Sequence, residues 1–159
     1  MVVSHTDLQR SRRCVELART ALEAGHGPFG AVLVCADDQT LYEDHNRVTD
    51  NDQTRHAEVG LIRWAVTNLA PVHRIRATVY TSCEHCPMCA AAHAWSGLGR
   101  IVYATSNAQL TDWLTEWRAP APPVAMLPVS VVTPRAVVDG PAPELQQDMK
   151  ALYEARYRR

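Results

Sequence analysis

Two short segments of this 159-residue chain restrict its fold more than any other feature, because their side chains suit a single metal ion. His56 and Glu58 lie in a His-Ala-Glu triplet, and Cys86 and Cys89 lie in a later Cys-Pro-Met-Cys motif. Catalytic zinc takes three protein ligands, His and Cys among them, and leaves a fourth position for water. The chain must therefore bring the two segments together, which leaves the Glu58 carboxylate free to move protons.

The spacing of these residues predicts how the segments meet. If Pro87 takes the first position of a helix, Cys86 caps that helix and Cys89 follows one turn later on the same side. Both thiols then lie at the positive end of the helix dipole, which favours the thiolate form. His56 precedes a second apolar-periodic segment, and a predicted strand separates the two helices. We expect the two helix N-termini to converge over one edge of a sheet.

Each motif alone is compatible with other sites. A lone Cys-x-x-Cys can be a redox pair or half of a structural zinc site. A closed structural site would need a fourth ligand, and Cys83, His85 and His93 are available for it. We favour Cys86 with Cys89 over a pair that uses Cys83, because Cys83 precedes the helix and the same turn does not fix its direction.

Composition favours a single globular domain over residues 1–159, since 47% of the residues are hydrophobic and 21% are charged. The net charge of -1 gives no overall attraction to phosphate backbones. We find no signal-peptide pattern and no segment long enough to span a bilayer. Three of the five cysteines lie between 83 and 89, which favours thiolate ligation in a reducing compartment over disulfides. We therefore expect a cytoplasmic protein with no membrane partner.

Apolar periodicity and turn residues predict a mixed sheet with helices on its faces. The predicted elements are a helix capped by Thr6, a hairpin of strands at 31–36 and 40–43, a helix opening on the His-Ala-Glu triplet, a strand at 77–81, a helix at 87–95, strands at 101–104 and 129–132, and a final helix around 144–157. Strand, helix and strand in the middle of the chain indicate a right-handed parallel crossover.

From about residue 21 to residue 103 the chain resembles the cytidine deaminase-like zinc superfamily. The matching blocks are Gly27–Val32, Asn46, the His-Ala-Glu triplet and Thr81–Cys89. His-x-Glu followed by Pro-Cys-x-x-Cys is a known signature of zinc nucleobase deaminases, in which the Glu is the acid and base. The last block is most similar to that of bacterial guanine deaminases. The resemblance implies an α/β fold with three layers, α/β/α, around a mixed five-stranded sheet.

The resemblance also implies roles for individual residues. One zinc ion per chain would bind His56, Cys86 and Cys89, while Glu58 shuttles protons. The implied substrate contacts are the Asn46 side chain, the Ala57 backbone, Phe29, Trp95 and Tyr157. Phe29 and Trp95 would flank the ring, although simple core positions are the alternative for both.

The chain departs from the guanine deaminase pattern at several positions. His85 stands where those enzymes carry Pro, and we expect it at the surface, with a place behind the metal ligands as the alternative. After Tyr103 the expected acidic residue does not align, and Asp112 is either its substitute or a solvated helix residue. Tyr153 and Tyr157 belong either to a lid over a neighbouring subunit's site in a homodimer or to a packed end helix.

These residues predict zinc-dependent hydrolytic deamination of a free nucleobase or a related amino-substituted heterocycle, with a guanine-type ring favoured and cytosine, isocytosine-like rings and triazines left open. A tRNA adenosine deaminase is the alternative, and it would need a basic, aromatic surface near the site. Arg156, Arg158 and Arg159 form only a small basic cluster, so we expect no nucleic-acid partner. A non-catalytic zinc-binding protein is the second alternative, but it would have no use for an unligated Glu58.

Overall fold

The computed structural model describes residues 3–158, in which helices alternate with strands. The helices are α1 (His5–Glu23), α2 (Ala57–Asn68), α3 (Pro71–Arg74), α4 (Pro87–Ser96), α5 (Asn107–Glu116), α6 (Val129–Val132) and α7 (Gln146–Tyr157), with a 3-10 turn at Pro143–Leu145. The strands are β1 (Gly30–Val34), β2 (Thr40–His45), β3 (Thr78–Cys83), β4 (Arg100–Thr105) and β5 (Val138–Asp139). Arg159, the last member of the basic cluster, lies outside the described residues.

The five strands form one mixed sheet in the order β2-β1-β3-β4-β5. β1 pairs antiparallel with β2, as the hairpin prediction requires, and antiparallel with β3 on its other side. β3 and β4 are parallel, and β4 and β5 are parallel. The mixed five-stranded sheet and the crossover through α4 are therefore confirmed.

Helices cover both faces of the sheet, because its central strands are apolar on both sides. Along β1, Val32 and Val34 are buried in one cluster with residues of α1. Ala31 and Leu33 point the other way and are buried against α2. α5 and α7 share a core cluster with α1, whereas α4 contacts α2. The result is the predicted three-layer α/β/α arrangement.

A buried ionic network fixes α1 to the end of the sheet opposite the carboxyl ends of β3 and β4. Arg100 donates to Asp7 of α1 at 2.7 Å and to Asp139 of β5 at 2.7 Å. The Tyr80 hydroxyl donates to the same Asp7 carboxylate at 2.9 Å. Asp7 and Arg100 thereby join α1 to three strands, β3, β4 and β5.

The start of α1 differs from the prediction, because Ser4 and not Thr6 caps the helix. The Ser4 hydroxyl accepts the Asp7 N–H, and the Asp7 carboxylate accepts the Ser4 N–H. This reciprocal capping box stabilises the earlier start more than a lone threonine cap would.

The predicted strand at 129–132 is wrong, since these residues form the short helix α6. Their β-branched side chains favour a strand, but the N–H of Val129 donates to the buried Glu84 carboxylate at 2.8 Å, which fixes a helical turn there. The edge strand is instead the two-residue β5, which pairs with Ile101 and Val102 of β4.

None of the helices within residues 3–158 combines the length and apolar character needed to cross a bilayer.

Candidate metal centre

The three predicted ligands lie at the starts of two neighbouring helices. His56 is the N-cap residue of α2, and Cys86 is the N-cap residue of α4. Pro87 occupies the first turn of α4, where a missing N–H costs no hydrogen bond, and Cys89 follows one turn after Cys86. The local arrangement predicted from the Cys-Pro-Met-Cys motif is confirmed.

The ligand atoms lie at distances that fit one tetrahedral zinc ion. Sγ of Cys86 is 3.5 Å from Sγ of Cys89, and Nδ1 of His56 is 3.7 Å from Cys86 Sγ and 3.5 Å from Cys89 Sγ. Zinc–sulfur and zinc–nitrogen bonds of about 2.3 and 2.0 Å at tetrahedral angles would separate two sulfurs by about 3.8 Å and a sulfur from a nitrogen by about 3.5 Å. The donor set and its spacing therefore fit zinc without rearrangement.

In the part of the chain that the structure describes, no fourth protein ligand completes this set. Within residues 3–158, the only convergent group of at least three His, Cys, Asp or Glu side chains is His56, Cys86 and Cys89. Cys83, His85 and His93 are not part of it, so the closed four-ligand alternative finds no support in the geometry. Three ligands with an open fourth position are the arrangement of catalytic zinc.

The ligands are electrostatically coupled. The hydrogen bond from Cys89, together with the nearby His56 ring, lowers the pKa of Cys86 to about 4 despite its partial burial. Donation to that thiolate and burial in turn raise the pKa of Cys89 well above its usual value. Burial opposes the imidazolium form of His56, but the contact with Cys86 and the charge of Glu58 outweigh it and raise its pKa. One thiolate is thus available for a cation, whose charge would favour ionisation of the second thiol.

Glu58 lies next to the ligands but outside the set. Its carboxylate is 3.8 Å from Cys89 Sγ, and the residue is only 4% exposed. Burial raises the pKa of Glu58 to about 7, and a divalent cation at the ligands would lower it again. A buried carboxylate of this kind can accept and return a proton near neutral pH.

Asn46 and Ala57, the two predicted base contacts, hydrogen-bond to each other. The Ala57 N–H donates to Oδ1 of Asn46 at 3.0 Å, in a buried position. The Asn46 N–H donates to the Phe29 carbonyl at 3.0 Å, which holds the loop after β2 against the start of β1. The Ala57 N–H is therefore engaged, whereas Nδ2 of Asn46 donates to no group within residues 3–158. Of the two, the Asn46 amide is the one free to contact a ring.

Phe29 and Tyr157 lie together at the entrance to β1. The Phe29 ring is 5.5 Å from the ring of Tyr153, which is fully buried in α7. The Tyr157 hydroxyl is 3.1 Å from the point that a Cβ on Gly27 would occupy. α7 thus packs against its own chain, which favours the packed end helix over a swapped lid. The role of both aromatic residues in substrate binding, and the dimeric state, stay predictions.

The structure does not bring Trp95 to the metal ligands. The buried face of α4 carries Cys89, Ala90, His93 and Ser96, and Trp95 lies on the opposite face with 91% of its surface exposed. In this structure Trp95 therefore occupies neither the ring-flanking nor the core position predicted for it.

His85 and Asp112 also occupy positions that the sequence did not settle. His85 is fully buried, not at the surface, and its ring lies 5.2 Å from that of His93. The expectation of a surface histidine is wrong. Glu84 and Asn107 tie the loop after β3 to the starts of α5 and α6, and the His85 ring lies beside His93 of α4. Asp112 is exposed on α5, as the solvated alternative predicts.

The sequence reasoning missed Glu84 and Asn107, which support the loop before Cys86. Both are buried and make several hydrogen bonds to backbone groups. The sequence signal for these residues was weak, since a charged residue between two cysteines is expected in a solvent-exposed loop unless its hydrogen-bond partners are known.

Comparison with known proteins agrees with this geometry. A sequence model of the cytidine and deoxycytidylate deaminase zinc-binding region matches residues 4–105. The chain is 36% identical over 125 residues to the "Probable cytosine deaminase" of Schizosaccharomyces pombe, which covers 77% of this chain and 74% of that protein. It is 34% identical over 107 residues to the tRNA-specific adenosine deaminase of Haemophilus influenzae, covering 67% of this chain and 62% of that protein.

The guanine deaminase of Bacillus subtilis is similar in both sequence and structure. It is 41% identical over 103 residues, which cover 64% of this chain and 65% of that protein. A solved structure of the B. subtilis enzyme superposes with a TM-score of 0.59 at 32% identity, covering 79% of this chain and 83% of that one.

Proposed function

This chain belongs to the cytidine and deoxycytidylate deaminase zinc-binding family, and we propose that it hydrolytically deaminates a free nucleobase or a related amino-substituted heterocycle. A guanine-type ring is the favoured substrate. The observation that carries the proposal is the buried Glu58 carboxylate, which lies beside three convergent ligands without being one of them. A site built only to hold zinc has no need of such a group.

The proposed reaction replaces a ring amino group with a carbonyl. When bound at His56, Cys86 and Cys89, zinc supplies Lewis-acid activation of water. Glu58 accepts a proton from the attacking water and delivers it to a ring nitrogen, which makes the amino-bearing carbon more electrophilic. Glu58 then moves the second proton to the amino group, so that one water is consumed and one ammonia is released.

Other residues of the chain would orient the ring. Nδ2 of Asn46 is free to donate to an acceptor on the base edge, since its Oδ1 is held by the Ala57 N–H. Phe29 and Tyr157 lie at the entrance to β1 and offer aromatic surface for stacking. The low exposure of Asn46 and Glu58 would exclude bulk water during proton transfer.

A free base is favoured over a tRNA because Arg156 and Arg158, the described members of the basic cluster, are engaged locally. Arg158 pairs with Glu154, and the Arg156 guanidinium lies 5.7 Å from the centre of the Tyr157 ring. A polynucleotide would require basic groups that face outwards near the site. The similarity to a tRNA-specific adenosine deaminase makes an anticodon stem-loop the necessary second substrate to assay.

The experiment is an ammonia-release screen of the zinc-loaded protein with amino-substituted purines, pyrimidines, triazines and a tRNA anticodon stem-loop. We expect release from a free ring and none from the stem-loop; the reverse result would overturn the free-base proposal. Glu58→Gln should keep one zinc ion per chain and lose ammonia release by at least about a hundredfold. Glu144→Gln, at an exposed carboxylate, is the matched control and should behave as the unaltered protein.

A further inference from the structure

The loop from Glu84 to Cys86 joins β3 to α4 and ends with the first thiol ligand, Cys86. The Glu84 N–H donates to the Thr105 carbonyl at 2.7 Å, which continues the pairing of β3 with β4. Beyond that point no strand or helix holds the chain until α4 begins. The direction in which Cys86 enters α4 therefore depends on what fixes residues 84 and 85.

The Glu84 carboxylate supplies one part of that support. The residue is only 6% exposed, and each of its oxygens accepts a backbone N–H. Oε2 accepts from Asn107 at 2.9 Å, and Oε1 accepts from Val129 at 2.8 Å. These are the first residues of α5 and α6, whose N–H groups have no partner within their own helices. One carboxylate thus ties the loop to two separate segments of the chain.

The Asn107 side chain supplies the other part. Its Nδ2 donates to the His85 carbonyl at 3.0 Å and to the Leu127 carbonyl at 3.1 Å. Asn107 is fully buried, so these bonds lie away from competing water. The loop is thus held at the Glu84 carboxylate and at the His85 carbonyl. We call the two bonds to the Glu84 carboxylate and the two bonds from Asn107 Nδ2 the Glu84–Asn107 clasp.

Neither residue touches a ligand, so any effect on the metal must pass through the backbone. Zinc affinity depends on the direction of each ligand, and the sulfur–sulfur and sulfur–nitrogen distances here fall close to tetrahedral values. Cys86 is the ligand whose backbone adjoins the clasp. A shift of residues 84 and 85 would rotate the N-cap of α4 and move its thiol away from His56.

We infer that Glu84 and Asn107 are positioning residues of the metal centre, which set the direction of Cys86 and thereby the affinity and geometry of the zinc site. The inference rests on the zinc site of the proposed function but not on its substrate. Metal binding is measured without turnover. A failure of this inference can therefore be distinguished from a failure of the proposed deaminase function.

The test replaces the carboxylate by its amide in Glu84→Gln, using the full chain. The amide keeps the volume of the side chain but offers an NH2 group where a backbone N–H needs an acceptor. We expect zinc affinity, measured by competition with a chromophoric chelator, to fall about tenfold or more. We also expect the visible absorption bands of the cobalt-substituted protein to shift or weaken, because they report ligand geometry directly.

A matched control separates positioning from general destabilisation. Asp7→Asn makes the same carboxylate-to-amide change at a carboxylate that is equally buried but lies in the α1 network at the other end of the sheet. It should lower the melting temperature while leaving zinc affinity and the cobalt spectrum unchanged. If Glu84→Gln matches this control in both metal readouts, the inference is overturned.

A second variant keeps the test decisive if Glu84→Gln does not fold. Asn107→Ala retains the backbone N–H that Glu84 accepts and removes the Nδ2 donor to the His85 and Leu127 carbonyls. It should also weaken zinc binding by several-fold and alter the cobalt spectrum. Unaltered zinc affinity and an unaltered cobalt spectrum in Asn107→Ala would likewise overturn the inference.

Discussion

Gly60→Ala is a substitution for which helix propensity and packing predict opposite outcomes. Gly60 lies in the first turns of α2, and its N–H donates to the His56 carbonyl at 3.1 Å. In a helix interior, Ala is more favourable than Gly by about 1 kcal/mol. A Cβ at this position, however, would lie 2.0 Å from Oδ2 of Asp44, far inside van der Waals contact. Which effect is larger depends on how freely Asp44 can retreat.

Asp44 is held in place by other groups. It is 5% exposed, and its Oδ1 accepts the His45 N–H at 2.9 Å and an ion pair from Arg47. Moving the carboxylate by more than an ångström would break the first bond, worth about 1.5–3 kcal/mol. The Arg47 side chain is partly exposed, so its pair adds at most about 1 kcal/mol. Net of the propensity gain, we expect a loss of about 0.5–3 kcal/mol.

The free energy of unfolding from urea denaturation measures the net effect, and a melting temperature lower by about 1–12 °C is a second readout. Thr67→Ala, on the exposed face of α2, is the control and should show only the propensity gain. In an Asp44→Ala background, Gly60→Ala should become stabilising, because nothing else lies within 4 Å of the added Cβ. A more stable Gly60→Ala single variant would refute the reasoning.

Three further predictions follow from the metal centre and the α1 network. Cys89→Ser should lose stoichiometric zinc while Cys83→Ser, at a buried thiol outside the ligand set, keeps it; equal metal content by atomic emission would contradict the ligand assignment. Removing zinc with a chelator should lower the melting temperature, and excess zinc should restore it. A ligand that binds only the folded state, at a hundred times its Kd, raises the free energy of unfolding by about 2.7 kcal/mol. Identical calorimetric melting curves with and without zinc would contradict this prediction. Burial raises the pKa of Asp7, but hydrogen bonds from Arg100 and Ser4 outweigh it and hold that pKa well below its usual range. The resulting stability is present above the unfolded pKa of about 3.9 and is lost as pH falls. Asp7→Asn should therefore make the free energy of unfolding, measured with urea, depend less on pH on the acid side. An unchanged pH dependence there would argue against the network.

The elements that the sequence predicted correctly depend on local chemistry. Pro87 suits the first turn of a helix, which placed Cys86 at the cap and Cys89 one turn on. Gly97 ends α4 with a φ of 71°, a backbone angle that glycine adopts without strain. The ligand set followed because each helix start was readable within a few residues, and the metal itself supplied the long-range constraint that joined them.

The wrong predictions concern residues whose position depends on distant parts of the chain. Val129 to Val132 favour a strand by propensity, but the Glu84 carboxylate, far away in sequence, binds the first N–H of the segment. His85 is buried in a loop that hydrogen bonds tie to Asn107 and Val129, both distant in sequence. The position of Trp95 was partly readable. Cys89 must face the metal, and a residue six places later lies about 120° around the helix from it, outside the face that carries Cys89.

The three proposed metal ligands and the proposed proton carrier, Glu58, lie between residues 56 and 89, at the starts of the two helices that flank β3. The proposed ring contacts Asn46, Phe29 and Tyr157 come from outside that stretch. Ring selectivity can consequently be redesigned in the outlying segments while the reactive core is left untouched. In a set of such variants, zinc content should stay at one ion per chain. A variant with altered activity that keeps its zinc has a changed substrate preference, whereas one that loses zinc has a damaged metal centre.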